Sequence, residues 1–231
     1  MLTSFRLRHK VLCALQQFID NIKLSGEIQS DEKYFSINLK GTKPSNMPRF
    51  SKKRTSTKSS CRGISHHKVC VASSIDENDN LMLKIVGLGR CTTKMLENSL
   101  GQKINKAKSV ITDSASAYQQ FCKDNKLILH AIPSGFHSDG IYNIAEINGV
   151  HSQLETWLTK FRGVSTRHFQ EYLNWFVYVF IMKKRFMLNK IKTESYSKIL
   201  TNDNYIKSKD IFNIKMPIDL RIAYAEYLNQ S

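Results

Sequence analysis

The stretch Lys108-Ser-Val-Ile-Thr-Asp-Ser-Ala-Ser-Ala-Tyr118 predicts a short buried strand that leads directly into a helix. Residues 109–112 are mostly apolar and β-branched, which is typical of a buried strand. Asp113 follows at the carboxyl end of this strand, and Ser114 can cap the helix that begins there. Open α/β folds place their chemistry at this end of their strands. Asp113 is therefore either a helix-capping residue or part of a functional site.

A second acidic strand is predicted far upstream, over residues 27–39. From Phe35 onward its apolar and polar residues alternate, and Asp31 has the same parity as the apolar set. A carboxylate on an apolar face is costly unless it is paired or bound to a metal, which singles out Asp31. Glu32 is expected to point the other way and to be solvated.

The remaining hydrophobic patterns predict a mixed α/β domain. Three strands, a helix, a strand, a helix and a strand follow one another, which favours an antiparallel three-strand meander leading into parallel crossovers. The first helix of this order is predicted over residues 94–104. Helices outside this order are predicted over residues 9–23, 147–161, from about 166, and 217–228. We expect an N-terminal helix over residues 1–26, the main domain over 27–182, and a basic helical tail over 183–231.

The charge of the chain predicts a polyanionic partner. Its 231 residues hold 35 Lys and Arg against 19 Asp and Glu, a formal charge of +16, which favours nucleic acid first and an anionic membrane surface second. The stretch 40–62 is a basic loop without acids, which either binds phosphates or is simply solvated. Its basic residues, the candidate DNA ligands, are Lys40, Lys43, Arg49, Lys52, Lys53, Arg54, Lys58 and Arg62. A second basic cluster spans 183–192, with the same two interpretations.

The cysteines and apolar runs indicate a cytoplasmic protein. Five scattered cysteines without a CxxC pair favour reduced thiols, and their spacing fits no structural zinc site. No signal-peptide pattern is present at the amino terminus. The longest apolar run, residues 175–182, is too short to span a bilayer.

Two acids on different strands and a polar helix start at Asn148 match the arrangement of ribonuclease H-like nucleotidyl transferases. In this chemistry two divalent ions activate the attacking oxygen and stabilise the leaving oxygen of a phosphodiester displacement. Mg²⁺, or Mn²⁺ in its place, prefers oxygen ligands such as carboxylates. The fold expected is a ribonuclease H-like mixed sheet flanked by helices.

Several blocks of the sequence, in order, resemble the insertion-sequence transposases of family fifteen-ninety-five. They are Leu24-Ser-Gly-Glu-Ile-Gln-Ser-Asp-Glu-Lys-Tyr-Phe35, Arg62-Gly-Ile-Ser, Val69-Cys-Val-Ala, Val110-Ile-Thr-Asp113, Ile147-Asn-Gly-Val-His-Ser-Gln-Leu154, Phe161-Arg-Gly-Val-Ser-Thr166 and Tyr172-Leu-Asn-Trp175. The resemblance covers roughly residues 3–180. It implies a DDE-type transposase that cleaves and transfers strands of double-stranded DNA, and that assembles as a homo-oligomer on transposon ends and target.

The same resemblance implies site residues. Asp31 and Asp113 fall at the positions of two metal-binding catalytic carboxylates, and Asn148 at that of the third ligand. An amide oxygen can ligate Mg²⁺ but brings no charge. Glu146 is the alternative third ligand, although its direction on the helix differs by about 200° from that of Asn148. Asn148 is preferred.

Two departures from the family pattern keep other functions open. Glu155 stands where the pattern usually has a lysine that touches DNA. The usual amino-terminal zinc ribbon and helix-turn-helix are not seen, so we expect an amino-terminally truncated element. The alternatives are a remnant that only binds DNA and, less favoured, a related ribonuclease or junction resolvase.

Overall fold

The computed structural model describes residues 2–42, 64–65, 67–104, 106–113, 116–133, 135–136, 138–187, 206–221 and 224. Its helices are α1 (Leu2–Ala14), α2 (Gln16–Asp20), α3 (Thr93–Ser99), α4 (Ser116–Asp124), α5 (Ala145–Thr159) and α6 (Phe169–Met187). Its strands are β1 (Ser25–Ser36), β2 (Lys68–Asp76), β3 (Leu81–Leu88), β4 (Lys106–Asp113), β5 (Ile128–Ile132), β6 (Ser138–Asp139) and β7 (Tyr142–Asn143).

Five strands form one mixed sheet in the order β3-β2-β1-β4-β5. The pairs β1–β2 and β2–β3 are antiparallel, whereas β1–β4 and β4–β5 are parallel. The sequence prediction of a three-strand meander followed by parallel crossovers is therefore confirmed, and with it the ribonuclease H-like fold. Strand β1 lies at the centre of the sheet, where both of its edges are paired.

Helices cover both faces of this sheet. Successive residues of a strand point to opposite faces. Asp31 approaches His151 of α5, and its neighbour Glu32 lies near Tyr118 of α4, so α5 and α4 lie on opposite faces. Helix α6 packs on the outer strand β3 and also contacts α1 and α2. The core between these layers is continuous from β2 to α6.

A bulge at the start of β1 depends on a glycine. The pairing between β1 and β4 shifts register at Gly26, which has a φ of +67°. A Cβ at this position would lie 2.1 Å from the carboxylate oxygen of Glu77. Only glycine combines this conformation with so close an approach.

Two local predictions differ from the structure. The single helix predicted over residues 9–23 is two helices, and α1 begins upstream of it because Phe5 and His9 pack against His168. Between β5 and α5, where no strand was predicted, the structure has the short β6–β7 hairpin, and Tyr142 stacks on His130 at 3.7 Å between ring centroids. Of the helix predicted over residues 217–228, the structure describes residues 217–221 and 224, and residues 217–220 are not helical, whereas Arg221 and Tyr224 are.

The apolar run of residues 175–182 belongs to α6 and packs into the core, where Val177 and Ile181 are buried. Across the described residues, no helix combines the length and apolar character needed to cross a membrane. The four described cysteines, Cys13, Cys70, Cys91 and Cys122, are free thiols, as the sequence predicted.

Candidate active site on the central strands

Asp31 and Asp113 lie on the two central parallel strands. The paired register of β1 and β4 ends at Gln29 and Ile111, and each acid lies two residues beyond that pair on its own strand. Neighbouring strands are about 4.8 Å apart, and equal offsets point to the same face of the sheet. The sheet therefore brings both acids to one edge and one face.

The two carboxyl groups interact electrostatically. The pKa of Asp31 is raised to about 6, chiefly by burial and also by the negative charge of Asp113, against the lowering effects of the Glu32 backbone N–H and of Lys33. The Glu32 N–H donates to Asp31 Oδ1 at 2.7 Å. Burial and the charge of Asp113 both disfavour the ionised form of Asp31, and a cation bound beside that carboxylate would favour it.

Glu32 is not solvated, and that prediction was wrong. Its side chain is half-buried against α4, and burial followed by the charges of Asp31 and Asp113 raises its pKa to about 7. The Tyr118 hydroxyl and the Cys91 thiol lower this pKa. Glu32 Oε1 is nevertheless buried with no hydrogen-bond partner among the described residues. Alternation correctly assigned Glu32 to the opposite face, but both faces of a central strand are covered.

Helix α5 runs alongside β1 and presents one of its faces to it. Gln29 Oε1 accepts hydrogen bonds from the backbone N–H groups of Glu146 at 3.1 Å and Ile147 at 3.2 Å, which caps the helix start. Further along, His151 Nδ1 lies 3.5 Å from Asp31 Oδ2. Three alternate residues of the strand, 29, 31 and 33, thus meet successive turns of the helix.

The last of these contacts is an ion pair between Lys33 and Glu155. Lys33 Nζ lies 2.9 Å from Glu155 Oε1, with 28% and 56% of the two side chains exposed. The acid that departs from the family pattern is therefore paired with a lysine of β1. Its negative charge is partly balanced at the edge of the site.

His151 is a site residue that the sequence analysis did not single out. The residue is only 5% exposed, and burial lowers its pKa to about 4, with Lys33 contributing. The imidazole is therefore neutral at pH 7 and gives Asp31 no compensating positive charge. The signal was available in its spacing, three residues after Asn148, which places both on one helical face.

The two candidates for a third ligand differ in exposure. Asn148 is half-buried on the face of α5 that His151 shares, whereas Glu146 is exposed and its backbone N–H is bound by Gln29. This difference favours Asn148. Its role as a metal ligand, like the roles of Asp31 and Asp113, stays a prediction.

Most of the predicted DNA-binding residues lie outside the described residues: Lys43, Arg49, Lys52, Lys53, Arg54, Lys58 and Arg62. Lys40 is exposed, and its Nζ donates to the Gly163 carbonyl at 3.3 Å. In the second basic cluster, Lys184 Nζ lies 2.7 Å from Asp79 Oδ1, which ties the end of α6 to the β2–β3 turn. Lys184 is thus at least partly a structural residue.

Residues 23–180 match the ISXO2-like transposase domain. No curated protein matches the chain. Among solved structures, the chain resembles an intasome of simian T-cell lymphotropic virus bound to the PP2A regulatory subunit B56 gamma, with 14% identity and a TM-score of 0.37 over 70% of this chain and 48% of that one.

A pre-cleavage Mos1 transpososome is also similar, with 12% identity and a TM-score of 0.26 over 87% of this chain and 63% of that one. The chain thus spans about half to two thirds of the length of these two structures. The family match covers more than half of the chain and includes Asp31, Asp113 and Asn148. This chain belongs to the family of the ISXO2-like transposase domain.

Proposed function

We propose that this protein is a DDE-type transposase that uses divalent metal ions, Mg²⁺ or Mn²⁺, to cleave the strands of an insertion sequence and transfer them to target DNA. The observation that supports this most directly is the electrostatic interaction between Asp31 and Asp113 on adjacent parallel strands. It occurs within a domain of a transposase family.

The residues at this edge of the sheet suit a hard divalent cation. Asp31 and Asp113 offer carboxylate oxygens, and Asn148 adds a neutral amide oxygen. His151 beside Asp31 is neutral at pH 7, and Lys33, which favours the ionised form of Asp31, is also paired with Glu155. A cation would relieve the repulsion that raises the pKa of Asp31.

Each residue has a defined part in this proposal. Asp31 and Asp113 would hold the metal, and Asn148 would complete the protein ligand set. When bound, divalent ions activate the attacking oxygen and stabilise the leaving oxygen of a phosphodiester displacement. His151 would position Asp31 without adding charge, and Gln29 fixes α5 against β1 so that Asn148 keeps its place. No covalent protein intermediate is required.

The proposed partner is double-stranded DNA, at transposon ends and at the target, with homo-oligomers assembled on it. The formal charge of +16 supports a polyanionic partner. The proposed DNA contacts are the eight basic residues of the stretch 40–62. These contacts would position the duplex without reading its sequence.

Cleavage of a labelled duplex in Mg²⁺ tests this function. The native chain and Asp124→Ala, which removes an exposed acid at the end of α4, should nick DNA, whereas Asp113→Ala should reduce the rate on the order of 100-fold or more. Removing Mg²⁺ with EDTA should have the same effect. Nicking that survives Asp113→Ala would overturn the assignment of the site.

A second candidate function is a remnant that binds DNA without useful catalysis. It is favoured by the uncharged third position at Asn148 and by the acid Glu155 near the site. If the protein is a remnant, the native chain should still shift the mobility of the labelled duplex in a binding assay. In the cleavage assay, the native chain and Asp113→Ala should then leave the duplex equally intact.

A further inference from the structure

A separate cluster of metal-binding side chains lies between α1 and the start of α6. In the described part of the chain, it is the one group of three or more His, Cys, Asp and Glu residues whose ligand atoms all lie within 4.8 Å of one another. Its members are His9, His168 and Glu171. None of them belongs to β1, β4 or α5, which carry the acids and Asn148 of the proposed active site.

The geometry of this cluster is close to that of a metal site. His9 Nδ1 contacts Glu171 Oε2, and His168 Nδ1 lies 3.4 Å from the same oxygen. Two ligand atoms of a tetrahedral zinc ion, each about 2.1 Å from it, are about 3.4 Å apart. Small rotations of three side chains would therefore be enough to place one ion between them.

The cluster is also buried and held in place. His9 is 1% exposed, and the side chains of His168 and Glu171 are 13% and 14% exposed. The buried His168 Nδ1 has no well-aligned hydrogen-bond partner among the described residues. The Cys13 thiol donates to the other oxygen of Glu171, Oε1, at 3.9 Å, which leaves Oε2 directed at the two imidazoles.

Glu171 Oε2 thus faces two imidazole nitrogens in a largely buried setting. A carboxylate placed there is costly unless a proton or a cation lies among the three groups.

We infer that His9, His168 and Glu171 form a second metal site, specific for zinc or a similar transition metal, that fastens α1 to α6. Two imidazole nitrogens and one carboxylate suit Zn²⁺, whereas Mg²⁺ prefers oxygen ligands. This site is independent of the transposase chemistry proposed above, because it shares no residue with it.

An adjoining cleft provides the fourth position. It has a volume of about 630 Å³ and is lined by His9 and His168 together with the basic residues Arg8, Lys40 and Arg167. Zinc held by one carboxylate and two neutral imidazoles keeps a net positive charge. Water or an anion from this basic cleft would complete the tetrahedron, and the cleft also gives the ion a path to the site.

Zinc binding by the untagged full chain tests the inference. The chain is stripped with EDTA, dialysed, and titrated with Zn²⁺ against a chromophoric chelator in excess Mg²⁺. The native chain is expected to bind one Zn²⁺. The affinity for Zn²⁺ should be unchanged in Asp113→Asn and in the control His130→Ala, and should fall about 100-fold or more in His168→Ala. Circular dichroism shows whether each variant is folded.

Absorption of Co²⁺ bound to the native chain keeps the test decisive should His168→Ala fail to fold. The inference predicts the intense visible bands of four-coordinate Co²⁺, displaced by one equivalent of Zn²⁺. Failure to bind Zn²⁺ in the titration, equal affinity in a folded His168→Ala chain, or the weak spectrum of six-coordinate Co²⁺ would each overturn it. The cluster would then be a metal-free hydrogen-bonded network.

Discussion

Replacing Glu32 with glutamine should stabilise the metal-free protein at high pH and not at low pH. The folded state raises the pKa of this carboxyl from 4.5 to about 7, so it holds the proton more tightly than the unfolded chain does. The stabilising contribution of Glu32 is therefore fully present below pH 4.5 and is lost as the pH rises through 7. Above that range, folding must bury an ionised carboxylate beside Asp31 and Asp113.

The expected magnitude follows from the size of the shift. One pKa unit corresponds to about 1.4 kcal/mol, so the shift of Glu32 corresponds to about 3 kcal/mol. Glu32→Gln keeps the shape of the side chain but cannot ionise. In EDTA, the variant should exceed the native chain by up to about 3 kcal/mol in free energy of unfolding at pH 8, and should match it near pH 4.5.

Urea unfolding at pH 4.5, 6 and 8, followed by circular dichroism, measures this difference. Glu27→Gln is the matched control, because it makes the same substitution at an exposed position of the same strand. The control should change the free energy of unfolding little at any pH. Equal effects of Glu32→Gln at pH 4.5 and pH 8, or an equal gain in Glu27→Gln, would refute the reasoning.

Three further predictions concern DNA binding and the position of α5. Neutralising Lys52, Lys53, Arg54 and Lys58 should reduce the slope of log affinity for duplex DNA against log salt by about 3 to 4, and an unchanged slope would exclude these residues from phosphate contact. Glu155→Lys should strengthen duplex binding in a mobility-shift assay, because it replaces an acid at the edge of the site with a cation. Glu155→Gln should change the free energy of unfolding by less than about 1 kcal/mol, because the ion pair of Glu155 with Lys33 is exposed. Gln29→Ala should destabilise the protein to urea by about 1 kcal/mol, because the first N–H groups of α5 lose their acceptor, whereas Gln153→Ala on the exposed side of the same helix should not.

The order of the strands could be predicted from the sequence because each strand has its own pattern. Residues 69–72 are an apolar run and residues 110–112 are all β-branched, as expected for interior strands, and the turn at residues 76–80 separates β2 from β3. Asp31 could be singled out because it is an acid on the apolar face of its strand, and Asp113 because it stands at the carboxyl end of a buried strand. The family resemblance then supplied Asn148.

The features that were missed all depend on packing between distant segments. Neither the burial of Glu32 against α4 nor the approach of His151 to Asp31 follows from periodicity, because each needs the position of a second element. His9 and Glu171 are 162 residues apart, and only the packing of α1 on α6 brings them together. Gln29 caps a helix that begins 116 residues later, which no local capping signal reveals.

Binding of Mn²⁺ to the native chain, Asp31→Asn, Asp113→Asn and the double variant tests most directly whether the two acids form one metal site. One equivalent of Zn²⁺ is added first to fill the site of His9, His168 and Glu171, because an excess would also displace Mn²⁺ from carboxylates. Titration followed by electron paramagnetic resonance then gives the four affinities. If both carboxylates hold the same metal, each single variant should lose most of the affinity and the double variant little more, so the effects are far from additive. Binding that persists in either single variant, or losses that simply add, would contradict the shared site.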